Sequence, residues 1–262
     1  MIELDLLGWS LLGLAALIVG FSKTALPGAG TLAVVLFAAV LPARESTAAL
    51  LVILIVGDLF AIWMYRRTVD WVTLRRLIWP VIVGVAVGTV FLGVASDSMV
   101  RRVIGVILLA LLVMTLWRRW RAGRSRVAGR EEESDGPPSS GRLPASSRAV
   151  GFGYGWLGGF TTMVANAGGP VMSLYLLAMR LPVQTFLGTT AYFFFAVNVS
   201  KVPFHLGLGL LNMQTFLTAS VLIPLVVIAA FAGRWVALRI PQELFERAVL
   251  VLTAVGAVNL LI

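Results

Sequence analysis

The chain of 262 residues contains two lysines, Lys23 and Lys201, and both fall inside apolar runs. The other 19 basic residues (21 − 2) are arginines, mostly in polar stretches. An ammonium is costly to bury in a bilayer, so an intramembrane lysine is read first as functional. Its chemistry would be to hold an anion. Lys23 lies in the stretch GFSKTALPGAG, residues 20–30, seven residues before Gly30. Lys201 lies near the end of the apolar run 184–204, where its ammonium can also snorkel to the interface. Asp58 is the one acid in the interior of the run 46–65. Two roles are open to it. It can pair with Lys23 or Lys201 and neutralise an empty site, or it can bind and release a coupling proton. Thr24, Thr161, Thr162 and Asn166 are neutral donors that suit a small oxyanion, although Ser and Thr also bond the backbone inside helices. His205, the single histidine, follows an apolar run at an expected membrane edge, which favours a structural role over a proton-carrying one.

These groups cluster around two breaks with the same pattern. Residues 159–169 read GFTTMVANAGG. Gly20, Phe21, Ala29 and Gly30 stand against Gly159, Phe160, Gly168 and Gly169 at an offset of 139 (159 − 20). Leu41-Pro42 stands against Leu181-Pro182, and Asp58 against Asn198, at an offset of 140 (198 − 58). Pro27, Gly28 and Gly30 weaken a regular helix, as do Gly168, Gly169 and Pro170. In lipid the freed backbone groups persist only where protein or a water-filled cavity satisfies them. A half-helix starting at Thr31 or at Pro170 would aim free N–H groups and a positive dipole end inward, which favours an anion. The candidate substrate-binding residues are therefore Lys23, Thr24, Gly28, Gly30, Thr31, Thr162, Asn166, Gly168, Gly169 and Pro170. Asp58, Asn198 and Lys201 are candidates for coupling or for shaping the site. Two glycine-broken hydrophobic segments in matching positions are the pattern of a secondary transporter with its site near the bilayer midplane.

The elements that must position these residues are apolar. The chain is 59% hydrophobic and 13% charged, with a mean hydropathy of +0.95. A soluble domain carries about 25% charged residues, so lipid is expected to be the solvent of this one. Apolar runs fall at 6–22, 31–41, 46–65, 77–95, 100–117, 149–165, 171–180, 184–204, 213–233 and 244–262. A full crossing needs about 20 residues. The pairs 6–22 with 31–41, and 149–165 with 171–180, each form either one long broken helix or a hairpin of two short pieces. The count is eight segments in the first case and ten in the second. The expected fold is an all-α integral membrane protein of two homologous halves, an internal repeat of inverted sense. Residues 1–117 form one repeat and 149–262 the other.

Residues 118–148 are rich in Arg, Gly, Ser and Pro and carry eight Arg against four acids, a net of +4 (8 − 4). They read as a polar linker placed in the cytoplasm by its charge. The loop 66–76, with Arg66, Arg67, Arg75 and Arg76 against Asp70, is then also expected inside. Charge in the second half favours the hairpin, which keeps Arg180, Arg234 and Arg239 inside. Trp9, Trp63, Tyr65, Trp71, Trp79, Trp117 and Trp120 are expected at the interfaces. The run Tyr192-Phe193-Phe194-Phe195 is expected to pack between helices. The N-terminus, MIELDLLGW, has no basic region ahead of its apolar run, so no cleavable leader is expected.

Several classes are set aside. Without cysteine there is no disulfide or thiolate metal site, and a single histidine makes no multi-histidine centre. No P-loop, zinc-binding helix, nucleophile elbow or dinucleotide fingerprint is present. No enzyme activity, cofactor, metal or nucleic-acid partner is expected; the net charge of +9 is read as loop charge facing an anionic leaflet. The alternatives to a transporter are an anion channel and a non-transporting membrane receptor or accessory subunit. A retinal-type lysine is disfavoured because Lys201 is not in the final segment. Nothing in the sequence decides whether the chain forms a homo-oligomer.

At GFSKTALPGAG and LPARESTAALLVILIVGD in the first half, and at GFTTMVANAGGPVMSLYLLAM and LPVQTFLGTTAYFFFAVN in the second, the chain resembles the TauE/SafE family of sulfite exporters. The resemblance spans both halves and leaves out the linker. It implies a duplicated inner-membrane protein that moves small sulfur-containing or organic anions such as sulfite or sulfonates, coupled to a proton or another ion. Many members carry richer glycine clusters than the PGAG and ANAGGP found here, which points to a subgroup.

Overall fold

The computed structural model describes residues 4–96, 98–99, 102, 113, 148–245, 247–249 and 251. The linker 118–147 and most of the runs 100–117 and 244–262 lie outside the described residues. What is described is helical, with no strand among the described residues. The elements are α1 (Leu6–Thr24), α2 (Gly30–Val40), α3 (Ala43–Tyr65), α4 (Trp71–Val94), α5 (Arg148–Ala165), α6 (Gly168–Ala178), α7 (Val183–Gly207), α8 (Met213–Val221) and α9 (Ile223–Ala237).

Local chemistry sets the ends. The Asp5 carboxylate accepts the Gly8 amide at 2.8 Å and caps α1. α1 stops before Pro27, and Gly28 takes a φ of 109°, which glycine alone adopts freely. α5 stops at Asn166, whose φ of 54° is the left-handed conformation that asparagine tolerates best after glycine. Pro42 and Pro182 stand just ahead of α3 and α7, and their carbonyls accept the Ser46 and Phe186 amides, both at 2.8 Å. α4 begins six residues before its apolar run because Asp70 caps it. Its Oδ1 accepts the Val72 and Thr73 amides at 3.0 and 3.1 Å. The expected run 213–233 divides at Leu222 into α8 and α9, bent by 45°. Pro224 supplies the reason, since its ring cannot follow a continuous helix.

The two broken segments are hairpins. Gly8 near the start of α1 packs on Val40 at the end of α2, and Gly30 at the start of α2 packs on Ser22. Likewise Gly151 meets Tyr175 and Gly158 meets Met172, so α5 and α6 run antiparallel side by side. Close pairs then join the halves. α1 packs along α9 in parallel, with Gly20 against Val226 and Gly233 against Phe21 and Thr24. α4 packs along α5 in parallel, with Gly84 against Trp156 and Gly88 against Met163. A Cβ at Gly20, Gly84 or Gly159 would fall onto the facing backbone carbonyl, so these seams need glycine. α3 crosses α7 antiparallel, Tyr65 lying by Gly188 and Asp58 by Asn198.

Two buried apolar clusters result. One gathers α1, α2 and the middle of α3 with Ala219, Leu222 and Val226. The other gathers α4 to α7 with Phe245 and Val249. Among the described residues, 6–24, 45–65 and 71–94 are long and apolar enough to cross a membrane, and the bent pair α8–α9 makes a fourth if taken as one span. Outward residues such as Trp79, Val90 and Val94 are at least 70% exposed, a surface that suits lipid and not water. The described residues have the all-helical, apolar character of a membrane protein.

Candidate functional site

Lys23 stands in the last turn of α1, where the helix dipole favours a cation. Its Nζ lies 2.6 Å from Asp58 Oδ1 in the middle of α3. Asn198, on α7, donates its Nδ2 to Asp58 Oδ2 at 2.7 Å. Asp58 and Asn198 are both buried. The three side chains thus link α1, α3 and α7 through one carboxylate. A buried ion pair holds only when further hydrogen bonds share the load, and Asn198 supplies one. The Lys23 ammonium also sits 4.7 Å from the centroid of the Phe194 ring.

Lys201 lies one turn beyond Asn198 on α7 and points inward, with no exposed surface. Snorkelling to the interface is therefore not its role here. Its Nζ donates to Asn166 Oδ1 at 2.5 Å, to the Thr162 carbonyl at 3.0 Å and to Thr162 Oγ1 at 3.2 Å. Asn166 in turn donates Nδ2 to the Thr47 carbonyl of α3 at 2.9 Å. Lys201 and Asn166 together hold the second break in shape. His205, expected at a membrane edge, is instead fully buried, with Nδ1 3.1 Å from the Lys201 carbonyl.

A small cavity of about 40 Å³ opens where the breaks meet. Lys23, Gly28, Gly30 and Thr31 line it from the first half, and Thr162, Asn166, Gly169 and Asn198 from the second. The two breaks come together here: a Cβ at Gly169 would lie 3.8 Å from the Gly28 amide. α2 and α6 both start at this cavity, α2 at Gly30 and α6 at Gly168, so two helix N-termini converge on it. With one ammonium, two dipole ends and several hydroxyl and amide groups, the arrangement can hold one small anion.

The remaining candidates lie elsewhere. Thr24 faces away from the cavity and donates to the Gly20 and Ala230 carbonyls at 3.1 and 2.8 Å, tying α1 to α9. Gly168 is packed on Thr162 and the Gly158 carbonyl, and Pro170 is buried in the first turn of α6. Asp58 and Lys201 sit one side chain behind the lining. Thr161 bonds back to the Leu157 carbonyl at 2.7 Å.

Sequence reasoning missed Ser22, Thr190, Phe194, Leu50 and Leu54, which also line the cavity. Thr190, Phe194 and Asn198 recur every four residues on one face of α7, a spacing that could have found the first two from the third. Phe194, expected as helix packing, faces the cavity, while Phe193 meets it edge-on at 5.0 Å. Tyr65, expected at an interface, is buried and donates its hydroxyl to the Thr24 carbonyl at 2.7 Å. Trp63, Trp71 and Trp79 are at least half exposed, as a lipid-facing belt requires; Trp117 and Trp120 lie outside the described residues.

The model of one protein family, sulfite exporter TauE/SafE, matches residues 12–260, nearly the whole chain. No curated protein and no solved structure matches it.

Proposed function

Since the chain belongs to the sulfite exporter TauE/SafE family, we propose that it is a secondary transporter that moves a small anion, sulfite or an organosulfonate, across the inner membrane by alternating access. The observation that carries this reading is the meeting of the two breaks at one cavity beside Lys23. The halves act as an inverted repeat. Three helix pairs support that: α1 with α9, α4 with α5, and α3 with α7 exchange into one another when the halves are swapped. The linker 118–148 joins them on the cytoplasmic side.

In this reading the anion sits between Lys23, the first turns of α2 and α6, and the side chains of Thr31, Thr162 and Asn166. The empty site is neutralised by Asp58. An anion that draws the ammonium off Asp58 leaves a buried carboxylate with Asn198 as its remaining donor. An uncompensated buried charge is costly. A proton taken up by Asp58 offsets that cost and ties proton movement to anion movement.

The test is uptake of radiolabelled sulfite into proteoliposomes holding the purified protein, with and without a pH gradient, beside Lys23→Ala. Saturable, gradient-dependent uptake that is lost in the variant is the expected result. Equal uptake by a folded Lys23→Ala protein would overturn the assignment of the site. Currents that do not saturate would make the protein a channel.

A further inference from the structure

A second, larger cavity of about 510 Å³ lies where α3 ends against α9 and the start of α7. Arg66, Arg67 and Arg234 line it, and no carboxylate does among the described residues. Loop charge that orients the chain accounts for Arg66 and Arg67, which are exposed. It does not account for Arg234, which is half-buried in α9, donates Nη1 to the Met64 carbonyl at 3.0 Å and reaches the same cavity. Three guanidinium groups facing one concave space without a counter-charge create a positive potential there, which raises the local concentration of anions. Their planar forks match oxyanions in particular.

One hydrogen bond links a residue lining this cavity to the segment that lines the central one. Tyr65 lines it, and the Tyr65 hydroxyl is bonded to the carbonyl of Thr24. Thr24 follows Lys23, which lines the central cavity. We propose that the arginine cavity is the vestibule of the anion pathway, where Arg66, Arg67 and Arg234 gather the oxyanion before it reaches Lys23, and that the Tyr65–Thr24 contact is the barrier between the two. The inference rests on the transport reading given above.

A lipid phosphate is an oxyanion too, so the experiment separates the two sources. Sulfite uptake is measured in phosphatidylcholine vesicles and in the same vesicles with phosphatidylglycerol added, at low and high ionic strength. The double variant Arg66→Gln/Arg67→Gln is compared with Arg67→Glu and with Tyr65→Phe. The expected result is a KM raised by about tenfold for the double variant at low salt, with kcat unchanged and the difference shrinking at high salt. Arg67→Glu, which changes the net charge by the same −2 as the double variant, raises KM by a similar factor, a match by charge that a merely structural role would not give. Tyr65→Phe raises kcat at constant KM. An unchanged KM in both arginine variants, beside a Lys23→Ala protein that no longer transports, overturns the vestibule and leaves the central site standing. An effect confined to phosphatidylglycerol vesicles assigns the cavity to a lipid headgroup and also overturns it. A wild-type protein that moves no anion removes both readings together.

Discussion

The two breaks use the same backbone pattern and opposite electrostatics. In the first half the cation stands on the hairpin, at Lys23, and meets a carboxylate on the long helix, Asp58. In the second half the cation stands on the long helix, at Lys201, and meets neutral oxygens on the hairpin, Thr162 and Asn166. At the sequence offsets the exchange is reciprocal on the hairpin side alone. Lys23 stands against Thr162 (23 + 139), Asp58 against Asn198 (58 + 140), and Lys201 against the buried Ala61 (201 − 140). Each half therefore ties its hairpin to its long helix with one lysine, anchored at opposite ends. Only the first half makes that tie an ion pair beside the cavity, and Asn198 then binds its carboxylate to the second half. Matched chain geometry thus leaves the charges free to be asymmetric. In the proposed transport reading, one break holds and releases the ion while the other serves as a fixed frame.

Removing a charge from the ion pair should give the largest effect. Asp58→Ala leaves the Lys23 ammonium without its partner and should cost about 3–5 kcal/mol, read as a large fall in thermal stability in detergent. The double variant Lys23→Met/Asp58→Leu should recover most of that stability, because no buried charge is left unpaired, while sulfite uptake stays lost. A double variant as unstable as Asp58→Ala would show that the pair is needed for folding and would break the contrast with the second half.

On the second side, Lys201→Met removes a donor from neutral oxygens and leaves no charge behind. It should cost about 1–3 kcal/mol, the range for polar groups left unsatisfied, and less than Asp58→Ala in the same unfolding assay. An equal or larger loss would show that the neutral tie matters as much to the fold as the ion pair and would break the contrast.

The shape of the second break gives a smaller test. Asn166 holds a left-handed backbone and bonds both Lys201 and Thr47. Asn166→Gly and Asn166→Ala both lose those bonds, but alanine also resists the positive φ. Asn166→Ala should be less stable than Asn166→Gly by about 1 kcal/mol. Equal melting temperatures would show that the break relaxes to another backbone path.

The smallest difference concerns a feature the halves share. Gly20 and Gly159 stand at matching positions, and each brings its helix onto a carbonyl of the other half, Val226 or Val81. Gly20→Ala and Gly159→Ala should each cost about 1–3 kcal/mol through forced separation of the helices. Their melting temperatures should agree closely. A clear disagreement would show that one seam carries more of the fold than the other.

Where the runs fall on described residues they match helices to within a few residues at most ends, because burial in lipid leaves a continuous hydrophobic signal. The breaks were legible for an equally local reason: Pro27, Gly28, Gly168 and Pro170 cannot continue a helix comfortably. The bend at Leu222 carried its own signal in Pro224, which the apolar run masked. The start of α4 at Trp71 was hidden because a single polar cap, Asp70, decided it outside the hydrophobic pattern. The partners of the buried charges were not legible in this way. Asp58 could have met either lysine, Thr24 resembled a ligand and serves the α1–α9 seam, and Tyr65 resembled a belt residue and closes on Thr24.

The sequence alone determined an all-helical membrane protein with two glycine-broken segments and few ionisable groups in apolar surroundings. Period, length and hydropathy are properties of neighbours along the chain, and they suffice for that. The tertiary structure decided that each broken segment folds as a hairpin and that both breaks face one cavity. It also decided that Asp58 takes Lys23, while Lys201 turns to Thr162 and Asn166. Those outcomes depend on which helix faces come within hydrogen-bond reach of one another. That distance is set by glycine seams between elements far apart in the chain, such as Gly20 with Val226 and Gly84 with Trp156, which no local pattern encodes.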